Sequence, residues 1–138
     1  MKIGFTGTRR GLSAAQKDAL LDTLINMAEE TAEVHHGMCV GADDEFHNMV
    51  RALYPAIRIV GHPPDDPKFF APAKCDVMWS PKPYLERNNN IVYKCDLLIA
   101  CPNGPEKQRS GVWATVRAAR IAHKKIHIVW PDGTIETR

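Results

Sequence analysis

The strongest constraint on the fold is a regular alternation of short apolar runs with amphipathic helical segments. Five runs have the apolar character of strands: Lys2–Phe5, Val34–Val40, Ile57–Val60, Cys95–Cys101 and Lys125–Trp130. A chain that alternates in this way is expected to form an open parallel sheet with helices on both faces. Because crossovers are right-handed, we expect a three-layer α/β sandwich whose mostly parallel, five-stranded sheet has the order 3-2-1-4-5.

Composition and charge limit what such a chain can do. The 138 residues fit one domain over positions 1–138, and 44% hydrophobic with 25% charged residues is typical of a globular protein. A net charge of +2 argues against a main role in neutralising nucleic acid. No apolar stretch approaches a membrane span, and the N-terminus lacks the pattern of a signal peptide. We therefore expect a cytoplasmic protein that binds neither membranes nor nucleic acid.

One segment breaks the alternation. Six of the ten prolines fall between Pro63 and Pro83, so positions 62–83 are predicted to form a long loop without regular helix or central strand. Loops of this length are usually functional or mobile. Phe69, Phe70 and Trp79 in this loop have two open interpretations, stacking on a nucleobase or anchoring the loop to the body.

The predicted strand order gives the place of a binding site. Ligands of open α/β sheets bind at the carboxyl ends of the strands, where the strand order reverses. In the order 3-2-1-4-5 this point lies between the first and fourth strands. Two loops meet there, Thr6–Gly11 and Cys101–Thr115, and both contain glycine, hydroxyl side chains and arginine.

The first of these loops has the composition of a phosphate site. Backbone N–H groups and the hydroxyls of Thr6 and Thr8, beside Gly7, can hydrogen-bond a phosphate, and Arg9 or Arg10 can pair with its charge. The loop has neither the GxGxxG pattern nor the lysine of a P-loop. A glycine turn with two solvated arginines remains the alternative interpretation.

The second loop opens the helix that follows the fourth strand. Ser110 can cap this helix, Gly111 permits close backbone approach, and the first N–H groups of a helix form an anion site. Lys107 and Arg109 add positive charge. The alternative is an ordinary capped helix start with Trp113 in the core.

Two further segments carry candidate ligand contacts. Gly41 precedes Asp43 and Asp44 at the start of a helix, where these carboxylates either bind ribose hydroxyls or simply favour the helix N-terminus. Arg87 and Asn88 lie near the start of the third helix and can face the same cleft, as a phosphate clamp and a base or ribose contact.

The sequence indicates no metal and no cofactor. None of the six histidines forms an i, i+4 pair on a predicted helix. No recognisable cofactor motif is present, so we predict that neither a metal nor a cofactor is bound.

Taken together, four motifs resemble those of the SLOG superfamily. They are the Gly-Thr-Arg loop after the first strand, VGAD, ERN, and the closing SGxWAT element, and in order they span Gly4 to Val129. This group is similar in fold to the Rossmann type and includes the lysine-decarboxylase-like phosphoribohydrolases and the DNA-processing protein A family. The resemblance implies a nucleotide-like ligand and a homodimer. Its phosphate-binding positions correspond to Gly7, Thr8, Arg9, Ser110, Gly111 and Thr115.

The chain departs from the catalytic pattern of that group. The phosphoribohydrolases carry PGGxGTxxE, and aligning its threonine with Thr115 places Ala118 where the glutamate belongs. Cleavage of an N-glycosidic bond needs a carboxylate to stabilise its oxocarbenium-like charge. We therefore favour a non-catalytic nucleotide-binding module or sensor. The alternative is a nucleoside monophosphate N-glycosidase whose carboxylate is Asp43, Asp44 or Glu86.

Overall fold

The computed structural model describes all 138 residues and contains seven strands, four α-helices and two short 3₁₀ helices (Ala28–Glu30 and Pro67–Phe69). The strands are β1 (Lys2–Gly7), β2 (Glu33–His36), β3 (Arg58–Gly61), β4 (Val77–Met78), β5 (Leu97–Cys101), β6 (Lys125–Val129) and β7 (Ile135–Thr137). The helices are α1 (Ala14–Met27), α2 (Ala42–Leu53), α3 (Tyr84–Lys94) and α4 (Gly111–Ile121). None of the four has the length and apolar character needed to cross a bilayer.

All strands belong to one sheet with the order β4-β3-β2-β1-β5-β6-β7. Neighbouring strands are parallel except β6 and β7. The predicted five-stranded sheet of order 3-2-1-4-5 is therefore wrong in strand number and in order, because β4 and β7 add one strand at each edge. Between these edges β1 lies beside β5, so the two loops singled out in the sequence leave the sheet side by side.

The extra edge strand β4 depends on contacts that a sequence pattern does not show. It has only two residues and lies inside the proline-rich segment. Asp76 fixes it, because its backbone N–H donates to the carbonyl of Ile59 and its Oδ2 accepts from the Ile59 N–H at 2.8 Å. At the other edge, the C-terminal segment forms β7, which runs antiparallel to β6 with Ile135 opposite Val129.

Two apolar cores cover the two faces of the sheet. On the α1 and α2 side, Phe5 of β1 and Phe46 of α2 stack with ring centroids 4.2 Å apart. On the α3 and α4 side, Trp113 is buried against Leu98 and Ile126. Burying side chains of this size contributes about 2–3 kcal/mol each relative to exposure. The central strands are therefore apolar on both faces, which is why their sequences form continuous apolar runs.

Helix α1 is fixed to the carboxyl edge of the sheet by its first turn. Ser13 and Gln16 form a capping box. The Gln16 amide also donates from Nε2 to the carbonyls of Pro102 (2.7 Å) and Val129 (3.0 Å). One buried side chain therefore joins the helix to the residue that follows β5 and to the last residue of β6, and it fixes the backbone on which the candidate site is built.

Candidate functional site

A cleft of about 530 Å³ lies at the carboxyl ends of β1 and β5. Four segments surround it: the loop after β1, the start of α3, the loop after β5 and the start of α4. Its lining residues are Gly7, Thr8, Arg9, Arg10, Tyr84, Leu85, Pro102, Asn103, Lys107, Arg109, Ser110, Gly111, Val112, Ala114 and Arg117. The cleft thus lies at the switch point between the first and fourth predicted strands.

The cleft is strongly positive. Arg9, Arg10, Lys107, Arg109 and Arg117 line it, and no carboxylate does. Only Arg117 forms an ion pair, with Glu106 at 3.2 Å. The other four cations are exposed and without a carboxylate partner, so they are available to a ligand. Guanidinium groups suit phosphate oxygens because each can donate two parallel hydrogen bonds.

The first loop is held in a tight turn by its own threonine. Thr8 donates its N–H to the carbonyl of Cys101 at 3.1 Å, and its hydroxyl accepts from the N–H of Arg10 at 3.2 Å. Gly7 has no room for a side chain, because a Cβ there would lie 2.4 Å from the Cβ of Ala42. Thr8 is buried, so its hydroxyl shapes the loop and presents Arg9 and Arg10 to the cleft.

Arg9 connects this loop to the proline-rich segment. Its guanidinium stacks 3.6 Å from the ring centroid of Phe69 and donates from Nη2 to the Tyr84 hydroxyl at 2.7 Å. At the far end of the segment, the N–H of Trp79 donates to the carbonyl of Gly61 in β3 at 2.9 Å. Of the two interpretations of these aromatic residues, the contacts of Phe69 and Trp79 match anchoring to the body.

The start of α4 presents backbone donors to the same cleft. Ser110 caps the helix, with its Oγ accepting from the N–H of Trp113 at 3.3 Å. The N–H groups of Gly111 and Val112 have no acceptor within the chain. Unpaired N–H groups and the helix dipole favour an anion at this position. Gly111 also packs against Tyr84, whose hydroxyl oxygen lies 2.1 Å from where a Cβ would stand.

A pit of about 20 Å³ lies beside the cleft and shares part of its wall. Its residues are Thr6, Gly7, Arg9, Cys39, Asp43, Tyr84, Arg87, Asn88, Gly111 and Val112. The structure thus brings residues from three predicted segments, the first loop, the VGAD element and the ERN segment, to one place.

Arg87 is buried and occupied by contacts within the chain. Its Nη1 donates to the carbonyls of Gly37 (2.5 Å) and His62 (3.3 Å), and its Nε donates to Asn88 Oδ1 at 2.8 Å. It does not line the main cleft. Arg87 therefore holds together the turn after β2 and the start of α3, and the guanidinium groups that line the main cleft are those of Arg9, Arg10, Arg109 and Arg117. The role of Arg87 as a phosphate clamp stays a prediction.

Asp43 is the only candidate carboxylate that reaches the pit. It is buried, and its Oδ2 accepts from the Cys39 N–H at 3.2 Å. Burial raises the pKa of Asp43 to about 6, against the opposing effect of the Arg87 charge. Asp44 and Glu86 line neither cavity, and Glu86 is exposed on α3.

Two other predicted ligand residues lie behind the cavities rather than in them. Thr115 is buried and donates its hydroxyl to the Gly111 carbonyl at 2.8 Å. Gly41 adopts a positive φ of 87°, and a Cβ there would lie 2.3 Å from the Arg9 carbonyl oxygen. Neither lines the cleft or the pit, so both act through the backbone of the neighbouring loops.

Tyr84 and Cys39 were not predicted from the sequence. Tyr84 lines both cavities, and Cys39 lies in the pit with its Sγ 3.5 Å from Arg87 Nη1. The signal for Tyr84 was its position at the start of a helix directly after Pro83, beside the ERN segment. Nothing in the sequence distinguishes Cys39 from a buried structural cysteine.

Buried histidines form two pairs away from the cleft, a grouping that helix spacing did not reveal. His36 Nε2 lies 2.9 Å from His47 Nδ1, with Cys75 close enough for the three to surround a metal ion. However, His36 Nδ1 accepts from the Met38 N–H, so the neutral ring carries its proton on Nε2. A metal-binding histidine donates from its second nitrogen instead, and this arrangement therefore does not fit a metal.

Comparisons with known proteins support the architecture. No protein-family model and no curated protein sequence matches the chain. Among solved structures, the molybdenum cofactor binding protein from the phototrophic bacterium Rippkaea orientalis is similar, with a TM-score of 0.72 at 20% identity over 94% of this chain and 76% of that one. The structural-genomics target TM1055 has a TM-score of 0.65 at 17% identity over 91% and 71%. These similarities show a Rossmann-like α/β fold.

Proposed function

We propose that the chain binds a nucleotide or another nucleotide-derived, phosphorylated ligand in the cleft between β1 and β5, as a binding module or sensor. The observation that carries the proposal is the electrostatic character of the cleft. Five cationic side chains and no carboxylate line it, and the unpaired N–H groups of Gly111 and Val112 open onto it. A small polyanion bound in this cleft would contact both the cationic side chains and the free N–H donors.

The motif resemblance supports the same proposal. The SLOG motifs supply most of the cavity walls, and membership of that superfamily is part of what we propose. The proposed ligand contacts are Thr6, Gly7, Thr8, Arg9, Arg10, Asn88, Ser110 and Gly111, with Gly41, Asp43, Arg87 and Thr115 shaping the loops or the pit. A structurally similar solved protein is named a molybdenum cofactor binding protein, which adds a molybdenum cofactor to the ligands worth testing.

Thermal stabilisation tests the binding proposal. The panel consists of pyrophosphate, mononucleotides, NAD and ADP-ribose. A ligand present at 100 times its Kd stabilises a protein by about 2.7 kcal/mol, which raises Tm measurably. We expect at least one compound to raise Tm in the wild type and to lose this effect in Arg9→Ala and in Gly111→Asp. Arg58→Ala is the matched control, because Arg58 lies outside the cleft, near Glu33. If no compound of the panel raises the Tm of the wild type, the proposal is contradicted.

The second candidate function is hydrolysis of a nucleoside monophosphate at its N-glycosidic bond. The observation that favours it is the protonatable Asp43 in the pit, which stands where a relocated carboxylate could reach a bound ribose. Release of free base that is lost in Asp43→Ala and retained in Asp44→Ala and Glu86→Gln would establish it. Absence of turnover with every nucleoside monophosphate would exclude it.

We also propose that the chain forms a homodimer through α3 and α4. Leu85 and Tyr93 on α3 and Ile121 on α4 expose 67%, 77% and 79% of their area, and a dimer formed through these two helices would cover them. Light scattering of the wild type should give twice the 15.4 kDa chain mass. A monomer in the wild type contradicts this part of the proposal, and Tyr93→Asp should convert a dimer to monomers.

A further inference from the structure

We infer that the pit beside the cleft receives a single hydroxyl group of the phosphorylated ligand, between the Asn88 amide and the Asp43 carboxyl. The ligand class is then a sugar phosphate or a nucleotide that keeps this hydroxyl. The inference rests on the proposed function, because the phosphate must occupy the cleft for the hydroxyl to reach the pit.

The Asn88 amide is fixed and incompletely paired. Its Oδ1 accepts from Arg87 Nε at 2.8 Å, which determines which end of the amide is nitrogen, because a flipped amide would place two donors together. Its Nδ2 has no hydrogen-bond partner, although only 5% of the residue is exposed. An unpaired buried donor costs about 1–3 kcal/mol. An acceptor that enters the pit removes this cost.

Asp43 supplies the complementary group. One of its oxygens, Oδ2, is engaged by the Cys39 N–H, and a carboxyl group has further lone pairs for a second donor. No cation lies within ion-pair distance of it. The pit therefore offers a donor on Asn88 and an acceptor on Asp43. A hydroxyl is the smallest group that can accept from the first and donate to the second.

Size excludes larger groups. A volume of about 20 Å³ slightly exceeds the roughly 10–15 Å³ that one water-sized group needs. A nucleobase or a phosphate does not fit. The pit and the cleft share Gly7, Arg9, Tyr84, Gly111 and Val112, so a ligand whose phosphate lies at Arg9 and Gly111 borders the pit.

Calorimetric titration with four probes tests the inference: pyrophosphate, ribose 5-phosphate, and its 2-deoxy and 3-deoxy forms. Pyrophosphate reports on the cleft alone. We expect ribose 5-phosphate to bind 10- to 100-fold more tightly than one of the two deoxy forms. If the three sugar phosphates bind equally, or if pyrophosphate binds and none of them does, the hydroxyl pit is excluded while the proposed function stands. If nothing binds, the proposed function itself fails.

Variants assign the effect to the pit. Asn88→Asp keeps the shape and the acceptor for Arg87 Nε but removes the donor, so it should abolish the preference for the hydroxyl. Asn89→Asp adds the same charge at an exposed position on the same helix and should leave the preference intact. Asn88→Ala removes the donor without adding charge, and it replaces Asn88→Asp in the experiment if Asn88→Asp does not fold. A preference that survives in both Asn88 variants overturns the inference.

Discussion

Arg9 donates a hydrogen bond from Nη2 to the hydroxyl oxygen of Tyr84 at 2.7 Å. This contact joins the loop after β1 to the start of α3. The same hydroxyl oxygen lies against Gly111 at the start of α4, so one phenol connects three of the four segments around the cleft. The geometry of the candidate site therefore depends on Tyr84 as much as on the cationic residues that a ligand would contact.

The close approach of Gly111 and Tyr84 predicts a sharp intolerance of side chains at position 111. In Gly111→Ala, the added methyl group would lie 2.1 Å from the Tyr84 hydroxyl oxygen, and overpacking of this kind costs about 1–3 kcal/mol. Chemical denaturation should show this loss. Gly111→Ala combined with Tyr84→Phe should recover part of it, because the nearest atom is gone. Gly104→Ala is the control, since nothing lies within 4 Å of a Cβ there. Equal effects at positions 104 and 111 would contradict this account.

Arg9 is predicted to hold the proline-rich segment in place. A cation over an aromatic ring contributes about 0.5–2 kcal/mol, and Arg9 lies 3.6 Å from the centroid of Phe69. In Arg9→Ala, the amides of Val40 and Ala71, which bond to Phe69 and Met38, should exchange with solvent faster. Hydrogen exchange followed by mass spectrometry measures this. Arg10→Ala removes the same charge from the neighbouring exposed position and should leave both rates unchanged.

The Gln16 amide is predicted to be critical for stability. Gln16→Glu replaces a donor that serves two carbonyls, those of Pro102 and Val129, with a carboxylate that repels them. Leaving buried acceptors unpaired beside a charge should cost about 3 kcal/mol or more at neutral pH. Acidification should restore part of the loss as the introduced carboxyl gains a proton. Gln108→Glu, the same change at an exposed position, should have no measurable effect on the free energy of unfolding.

Three buried groups are predicted to set the response to acid. Burial and neighbouring positive charge lower the pKa values of His36 and His62 to about 3, so both are neutral in the fold and protonate on unfolding below about pH 6.5. Their contribution to stability is complete above that pH and is lost as the pH falls toward 3. Asp43, with a pKa raised to about 6, acts in the opposite direction between about pH 4 and 6, because the folded state holds the proton.

The net effect of these three groups at about pH 5 is one proton taken up on unfolding, since two histidines gain one each and Asp43 releases one. Asp43→Asn should therefore steepen the loss of unfolding free energy on acidification by up to about 1.4 kcal/mol per pH unit. Urea denaturation at half-unit pH intervals from 4 to 7 measures the slope. Asp65→Asn, at an exposed position, is the control. Identical slopes in wild type and Asp43→Asn would show that Asp43 titrates normally.

The sequence predicted the features that follow from local patterns. Apolar periodicity located the central strands, and Ser13 with Gln16 marked the start of α1, because capping depends on residues close in the chain. The switch-point rule then placed the cleft between the loops after β1 and β5. Strand β4 was not predicted, because two residues carry no periodicity and its pairing depends on Asp76 and Ile59, which are distant in sequence.

The roles of individual site residues were less predictable than their location. The sequence does not distinguish Arg87 from the exposed arginines. In the structure, however, the guanidinium of Arg87 donates its hydrogen bonds to the carbonyls of Gly37 and His62. Likewise, three acidic residues were equivalent candidates for a catalytic carboxylate, and only packing distinguishes Asp43 from the others. Burial and hydrogen-bond partners, which decide whether a polar group serves the fold or a ligand, are properties of the tertiary structure.

We propose that a phosphorylated ligand binds where the first loop meets the start of α4. A titration of pyrophosphate into ¹⁵N-labelled protein, followed by NMR of the backbone amides, tests this binding most directly. We expect saturable shifts at Arg9, Gly111 and Val112, with the β7 amides unmoved. Absence of shifts at Gly111 and Val112 at millimolar pyrophosphate, or shifts confined to residues outside the cleft, would contradict the claim.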